Sequence, residues 1–132
     1  MTTNKIFLVD DDLIFRKAAT VLLGQELSEF DVEHFENGLE VYNELIELAE
    51  ASEKLPQLIL LDINMPVMNG WELLEELKSA PHQIRQQCQI YILTSSIAPE
   101  DMNLSKTYEF INGYITKPLT SEDLKRIAEN LA

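Results

Sequence analysis

The sequence has little cysteine, little positive charge and no long apolar run. Cys88 is the single cysteine among 132 residues, so no disulfide can form within the chain, which agrees with a reducing compartment. The 10 lysines and arginines stand against 23 aspartates and glutamates, and a net charge of −13 argues against binding nucleic acid or an anionic membrane surface. No stretch has the length of a transmembrane helix or the features of a signal peptide. We therefore predict a soluble cytoplasmic protein without membrane insertion.

Short apolar segments alternate with amphipathic segments along the chain. Strands are predicted at the segments KIFLV, DVEHF, QLILLD, QIYIL and GYIT, and five helices are predicted to alternate with them. The half-polar segment DVEHF is predicted to be an edge strand. Continuous apolar strands joined by helical crossovers are typical of a parallel sheet that is covered on both faces. The pattern predicts one doubly wound α/β domain over residues 1–132.

Polar side chains follow four of the five predicted strands. Because the carboxyl ends of parallel strands meet at one edge of a sheet, we expect these residues to share a pocket. They are Asp10, Asp11 and Asp12 after the first strand, Asp62 after the third, Thr94, Ser95 and Ser96 after the fourth, and Thr116 and Lys117 after the fifth.

The residue types in this pocket indicate a particular chemistry. Carboxylates without histidine or cysteine are hard oxygen ligands, which suit Mg²⁺ and also Mn²⁺. A carboxylate beside such a metal can act as a nucleophile and become an aspartyl phosphate. A lysine and a threonine can then contact the phosphoryl oxygens. The sequence has no glycine-rich P-loop, which argues against a nucleotide substrate.

Four motifs together resemble the receiver domain of two-component response regulators, over essentially the whole chain. They are FLVDDD, LILLDINMPVMNGWELL, YILTSS and GYITKPLTSEDL, in this order. The resemblance implies a flavodoxin-like, CheY-like fold with five parallel strands in the order 2-1-3-4-5 and five flanking helices. It also implies Mg²⁺ as the cofactor.

The resemblance also implies a role for individual residues. Asp62 corresponds to the phospho-acceptor, and Asp11 to a direct Mg²⁺ ligand. Asp10 would hold a metal-bound water, and Asn64 would supply a backbone carbonyl to the metal.

Three further residues complete the assignment that the resemblance implies. Thr94 and Lys117 would contact the phosphoryl group, and the bond from Lys117 to Pro118 corresponds to the cis peptide of the family. Tyr114 resembles the aromatic switch residue on the fifth strand.

The function implied by the resemblance is that of a signalling switch rather than an enzyme. The chain would take a phosphoryl group from a histidine kinase or a histidine phosphotransfer protein and release it by autodephosphorylation. Phosphorylation would change the contacts with a downstream protein effector on the face formed by the fourth helix, the fifth strand and the fifth helix. Because the sequence ends soon after the last predicted helix, we expect a stand-alone receiver without an output domain.

Several alternatives remain open on the sequence alone. Asp12 is expected to cap a helix, Ser95 could replace Thr94 as the phosphoryl contact, and Tyr114 could simply pack. The segments YEFING and SSIAPEDMNLSKT depart from the family pattern near the expected output face. A rival hypothesis is a haloacid-dehalogenase-like phosphatase, since IFLVDDDLI also fits its pattern, with Asp10 as nucleophile and Asp12 as acid/base.

Overall fold

The computed structural model describes residues 2–95 and 99–131, so Ser96 lies outside the described residues. This part of the chain contains five strands and six helices, which alternate except for two consecutive helices between the third and fourth strands. The strands are β1 (Thr2–Val9), β2 (Asp31–Phe35), β3 (Leu55–Asp62), β4 (Gln89–Thr94) and β5 (Ile111–Thr116). The helices are α1 (Leu13–Glu26), α2 (Gly38–Glu50), α3 (Gly70–Leu77), α4 (His82–Gln87), α5 (Pro99–Ser105) and α6 (Ser121–Asn130).

The five strands form one parallel sheet in the order β2-β1-β3-β4-β5. The predicted doubly wound, flavodoxin-like α/β fold is therefore confirmed, and β2 is an edge strand as predicted. The register brings the strand ends together, because Val9 pairs with Leu61 and Thr94 pairs with Thr116. The residues that follow these positions lie along one edge of the sheet.

Alternate residues of the central strands point to two separate apolar layers. Phe7, Ile59 and Leu61 pack with α2, α3 and α4 on one face of the sheet. Leu8 and Leu60 pack with α1 and α6 on the other face. A strand that is buried on both faces must be apolar at nearly every position, which explains the uninterrupted segments IFLV and LILL.

One helix differs from the sequence prediction. The short helix α4 follows Pro81, buries only Ile84 and contains six residues, too few to show a helical repeat of apolar positions. Arg85 fixes it by donating from Nη1 to the carbonyl oxygen of Ala80 at 3.0 Å. The prediction of five helices is therefore wrong by one, and the predicted fourth and fifth helices are α5 and α6.

Residues that favour a helix start are found at the beginning of α5 and α6. Pro99 is the first residue of α5. The Thr120 hydroxyl accepts the N–H of Asp123, and the Asp123 carboxylate accepts the N–H of Thr120, which is a capping box. Every helix in the described part of the chain is too short or too polar to cross a lipid bilayer.

Candidate phospho-acceptor and metal site

Three aspartates from two strand ends form a group that we call the acidic pocket: Asp10, Asp11 and Asp62. One carboxylate oxygen of each lies within 4.8 Å of the others. Asp10 is fully buried, Asp62 is 5% exposed, and Asp11 is exposed to solvent. Burying two like charges so close together is unfavourable without a positive partner. The geometry therefore requires a cation beside them.

The backbone at the end of β1 fixes Asp10 and directs Asp12 elsewhere. The N–H of Asp10 donates to the carbonyl oxygen of Phe35 at 3.0 Å, and Asp10 Oδ1 accepts the N–H of Asp12 at 2.9 Å. Asp12 Oδ1 accepts the N–H groups of Ile14 and Phe15 at 2.9 and 3.2 Å. Asp12 thus caps α1 as predicted, and Asp10 faces the acidic pocket.

Lys117 supplies the cation. Its Nζ lies 2.6 Å from Asp10 Oδ2 and 3.4 Å from Asp62 Oδ1. Its backbone N–H donates to the carbonyl oxygen of Thr94 at 2.7 Å, which ties the end of β5 to the end of β4. The peptide bond from Lys117 to Pro118 is cis, as the resemblance implies. Asp10 directly after β1, Asp62 at the end of β3 and Lys117 directly after β5 therefore meet in one ion-pair network.

Phe15 is a member of this site that sequence reasoning missed. The Nζ of Lys117 lies 4.2 Å from the centre of the Phe15 ring, which is a cation–π contact. Phe15 is half-buried at the start of α1, and the sequence marks it only as an apolar helix residue. Its ring closes one side of the lysine, so the ammonium group is kept over the acidic pocket.

The network shifts the proton affinity of Lys117 upward. Burial by itself lowers the pKa of Lys117, but the hydrogen bond to Asp10 and the negative charges of Asp62 and Asp10 outweigh it and raise the pKa above its ordinary value. Lys117 is therefore charged at neutral pH. One ammonium group among three carboxylates leaves a local excess of acidic groups, which suits a divalent cation.

Asp62 has a weakened tendency to ionise. Burial, followed by the negative charge of Asp10, raises the pKa of Asp62 to about 6, and the opposing effect of Lys117 does not cancel this rise. Asp62 is still mostly ionised at neutral pH, but its charged form is disfavoured. A metal ion or another positive group would stabilise that form.

Thr94 is buried in the same region and Ser95 is not. Thr94, the last residue of β4, is 4% exposed, and the next residue along the chain, Ser95, is exposed. Burial at the strand end favours Thr94 over Ser95 as the residue that faces the pocket. Asn64 lies two residues beyond Asp62 with its side chain exposed, and the assignment of its backbone carbonyl to a metal stays a prediction.

The loop after Asp62 packs tightly against the backbone of Asp62 itself. Gly70 donates its N–H to the carbonyl oxygen of Ile63 at 2.8 Å, and a Cβ at Gly70 would lie 2.7 Å from the carbonyl oxygen of Asp62. Only glycine allows α3 to begin so close to the end of β3. Val67 sits at the tip of this loop, 74% exposed and with φ of 67°, a conformation that strains a β-branched residue.

Tyr114 lies on β5, away from the acidic pocket along the strand. The side chain is half-buried, and its hydroxyl is buried without a hydrogen-bond partner among the described residues. Burial, with a smaller effect from Asp101, raises the pKa of Tyr114 to about 12. A buried hydroxyl without a partner is unfavourable, so a different position of the ring would cost little. A role as a switch stays a prediction.

The fold agrees with what comparison with known proteins finds. A family model for the response regulator receiver domain matches residues 6–129. A two-component response regulator from Cytophaga hutchinsonii superposes with a TM-score of 0.86 at 27% identity, covering 98% of this chain and 97% of that one. The phosphorylated cyanobacterial phytochrome response regulator RcpA gives a TM-score of 0.73 at 30% identity, with 96% and 89% covered.

The family is thereby established: the chain belongs to the response regulator receiver domains, and its structural neighbours include CheY-like proteins. The nitrate/nitrite response regulator NarL of Escherichia coli is 32% identical over 127 residues, which are 96% of this chain and 54% of NarL. The chain spans about half the length, or less, of the curated relatives it matches. Receiver domains are signalling domains, and response regulators interact with histidine kinases.

Proposed function

We propose that this receiver domain accepts a phosphoryl group on the carboxylate of Asp62 from a phosphohistidine of a histidine kinase or phosphotransfer protein. The observation that carries the proposal is the position of Asp62: it is buried beside Asp10, and Lys117 Nζ lies 3.4 Å away. With a pKa of about 6, Asp62 is ionised at neutral pH and remains a nucleophile.

The transfer exchanges one bond to phosphorus for another. A carboxylate oxygen of Asp62 attacks the phosphorus, the phosphorus–nitrogen bond breaks, and its electron pair leaves with the imidazole, which binds a proton. The ammonium group of Lys117 offsets the negative charge of the phosphoryl oxygens, and the hydroxyl of Thr94 donates a hydrogen bond to one of them. Attack of water on the acyl phosphate returns Asp62 and inorganic phosphate, which is the autodephosphorylation that we assign to the domain.

The residues of the acidic pocket fit a magnesium ion, with manganese as an alternative. Three carboxylates within 4.8 Å of one another, two of them buried, are hard donors with uncompensated negative charge. Asp11, Asp62 and the backbone carbonyl of Asn64 would hold the ion, and Asp10 would hold a water bound to it. The metal supplies neutralisation of negative charge on the carboxylates and the phosphoryl oxygens.

We assign the output to the face formed by α5, β5 and α6. This is the face predicted from the sequence, because the additional helix α4 shifts the numbers of the two later helices by one. Thr94 moves toward the phosphoryl group, and the ring of Tyr114 moves into the space nearby. A protein effector that binds this face then senses the state of Asp62. Movement of Tyr114 is measurable from its ring NMR signals on addition of beryllofluoride, and unchanged signals would contradict the switch.

Direct labelling tests the phospho-acceptor. The chain is incubated with Mg²⁺ and radiolabelled acetyl phosphate, and we expect a label that hydroxylamine removes. Asp62→Asn should abolish the label, and omission of Mg²⁺ in EDTA should lower it strongly. Asp12→Asn is the matched control, because asparagine also caps helices and Asp12 faces α1. Equal labelling of Asp62→Asn and the wild type would refute the assignment.

Asp62→Asn and one further variant, Asp10→Asn, separate this proposal from the phosphatase hypothesis. A phosphatase that uses Asp10 as nucleophile should turn over phosphate esters in Asp62→Asn and lose this activity in Asp10→Asn. The contacts argue against it, because Asp10 is bound by Lys117 and by the N–H of Asp12, and Asp12 is occupied as the cap of α1.

A further inference from the structure

Helix α5 is poorly attached to the rest of the domain. None of its described side chains is buried, and Met102 and Leu104 are 45% and 38% exposed. Its end is held by local bonds, since the hydroxyls of Ser105 and Thr107 donate to the carbonyl oxygens of Met102 and Leu104 at 2.7 Å. A helix of seven residues without a buried face has little stability of its own.

The residues directly after α5 are attached firmly. Tyr108 is 6% exposed and stacks on Trp71 with ring centres 6.1 Å apart and planes at 17°. Phe110 meets the Tyr108 ring edge-on at 5.9 Å. The Tyr108 hydroxyl donates to Glu75 Oε1 at 3.0 Å. We call Trp71, Tyr108 and Phe110 the aromatic anchor; it joins the segment before β5 to α3.

Helix α3 is a rigid support for this anchor. Leu73, Leu74 and Leu77 of α3 are fully buried. Its start is fixed by the capping box of Asn69 and Glu72 and by the contact of Gly70 with the backbone of Asp62. The Tyr108 ring is therefore stacked on a helix that is itself held by its buried leucines.

We propose that the aromatic anchor is the boundary of a movable unit: α5 opens and repositions as far as Tyr108, and the backbone of β5 stays in place. Local stability is low where buried contacts are few. Here the chain passes from α5, which has no buried residue among those described, to the buried Tyr108 within three residues. As a consequence that rests on the proposed function, the backbone response to phosphorylation ends at Tyr108. Within β5, only side chains such as that of Tyr114 respond.

Hydrogen exchange of the metal-free, unphosphorylated chain tests the boundary. Lys106 and Thr107 follow α5 directly, and their N–H groups donate to the carbonyl oxygens of Met102 and Leu104 within the helix. The N–H of Ile111 donates to the carbonyl oxygen of Tyr108. We expect the first two to exchange at least ~100-fold faster than Ile111. Similar protection on both sides of Tyr108 would overturn the proposal.

Variants of Tyr108 test the cause. Tyr108→Ala should increase the exchange rate at Ile111 at least ~10-fold. Tyr108→Phe removes only the hydrogen bond to Glu75 and should increase this rate about threefold. Tyr91→Phe is the matched control: Tyr91 belongs to the other apolar layer, and its hydroxyl accepts a hydrogen bond from the side chain of Asn130, so exchange at Ile111 should not change. If Tyr108→Ala does not fold, Tyr108→Phe alone decides. Equal acceleration over all strands, or none at Ile111, would refute an anchor at this position.

The phosphorylated state is tested separately. With Mg²⁺ and beryllofluoride, exchange should change in α5 and stay constant at the β5 backbone from Ile111 onward. Changes of equal size in β5 would overturn the boundary, even where labelling of Asp62 succeeds. If labelling fails, the proposed function fails, and the metal-free exchange experiment still decides whether the anchor exists.

Discussion

Replacing Asp62 by asparagine should stabilise the metal-free protein at neutral pH. Folding raises the pKa of Asp62 from 3.8 to about 6, chiefly because its carboxylate is buried and lies near Asp10. Each tenfold change in proton affinity is worth about 1.4 kcal/mol, so the ionised carboxylate opposes folding by about 3 kcal/mol. Asparagine has nearly the same shape and no charge. We therefore expect the free energy of unfolding of Asp62→Asn to exceed that of the wild type by up to about 3 kcal/mol, a figure that already includes the pairing of Asp62 with Lys117.

The sign of the pH dependence follows from the direction of the shift. A carboxyl group with a raised pKa in the folded state is neutral in both states at pH values below 3.8, where it has no effect on folding. Its cost grows between 3.8 and about 6 and is constant above this range. The advantage of Asp62→Asn should therefore be large at pH 7.5 and nearly absent at pH 4.

Urea denaturation in EDTA at several pH values, followed by the fluorescence of Trp71, measures this difference. Mg²⁺ should raise the midpoint of the wild type and have a much smaller effect on Asp62→Asn, since ligands stabilise the state that binds them. A variant that is less stable than the wild type at pH 7.5, or an advantage that does not change with pH, would refute the reasoning.

Three other substitutions test the packing of the site, each by the same urea titration at neutral pH. Lys117→Met should destabilise the metal-free chain by about 3 kcal/mol, because Asp10 and Asp62 lose their cation. The loss should be smaller with Mg²⁺, and an unchanged urea midpoint in EDTA would contradict the ion-pair network. Gly70→Ala should cost about 2 kcal/mol, because its Cβ would lie 2.7 Å from a backbone oxygen; no loss would mean that the loop can shift. Val67→Gly should stabilise by about 1 kcal/mol through relief of the left-handed backbone, and destabilisation would argue against strain there.

The sequence predicts the position of the site well because the signal is topological. Asp10, Asp62, Thr94 and Lys117 each stand at the end of a strand or directly after it, and a parallel sheet brings such positions to one edge whatever the helices do. The coarse arrangement therefore depends only on recognising the strands. The pairing of Lys117 with Asp10 at 2.6 Å rather than primarily with Asp62 depends on side-chain rotamers, and no sequence pattern encodes it.

Other features escape sequence analysis for physical reasons. Phe15 contacts Lys117 across about 100 residues of chain, and an apolar residue at the start of a helix does not indicate which cation it will meet. Helix α4 has only six residues, fewer than two full turns, so periodicity cannot reveal it. The aromatic anchor shows in the sequence only as an unusual stretch, YEFING, because its partner Trp71 lies far away along the chain.

The single cysteine allows opening of the native state to be measured by thiol modification without any substitution in the chain. Cys88 is 3% exposed, and burial raises its pKa to about 12, so almost no thiolate is present in the native state. A thiol reagent should modify it only after the chain around β4 has opened. The rate of that modification therefore reports the rate of native-state opening around β4. For the same reason, a cysteine introduced at the surface can be labelled with a dye while Cys88 stays unmodified.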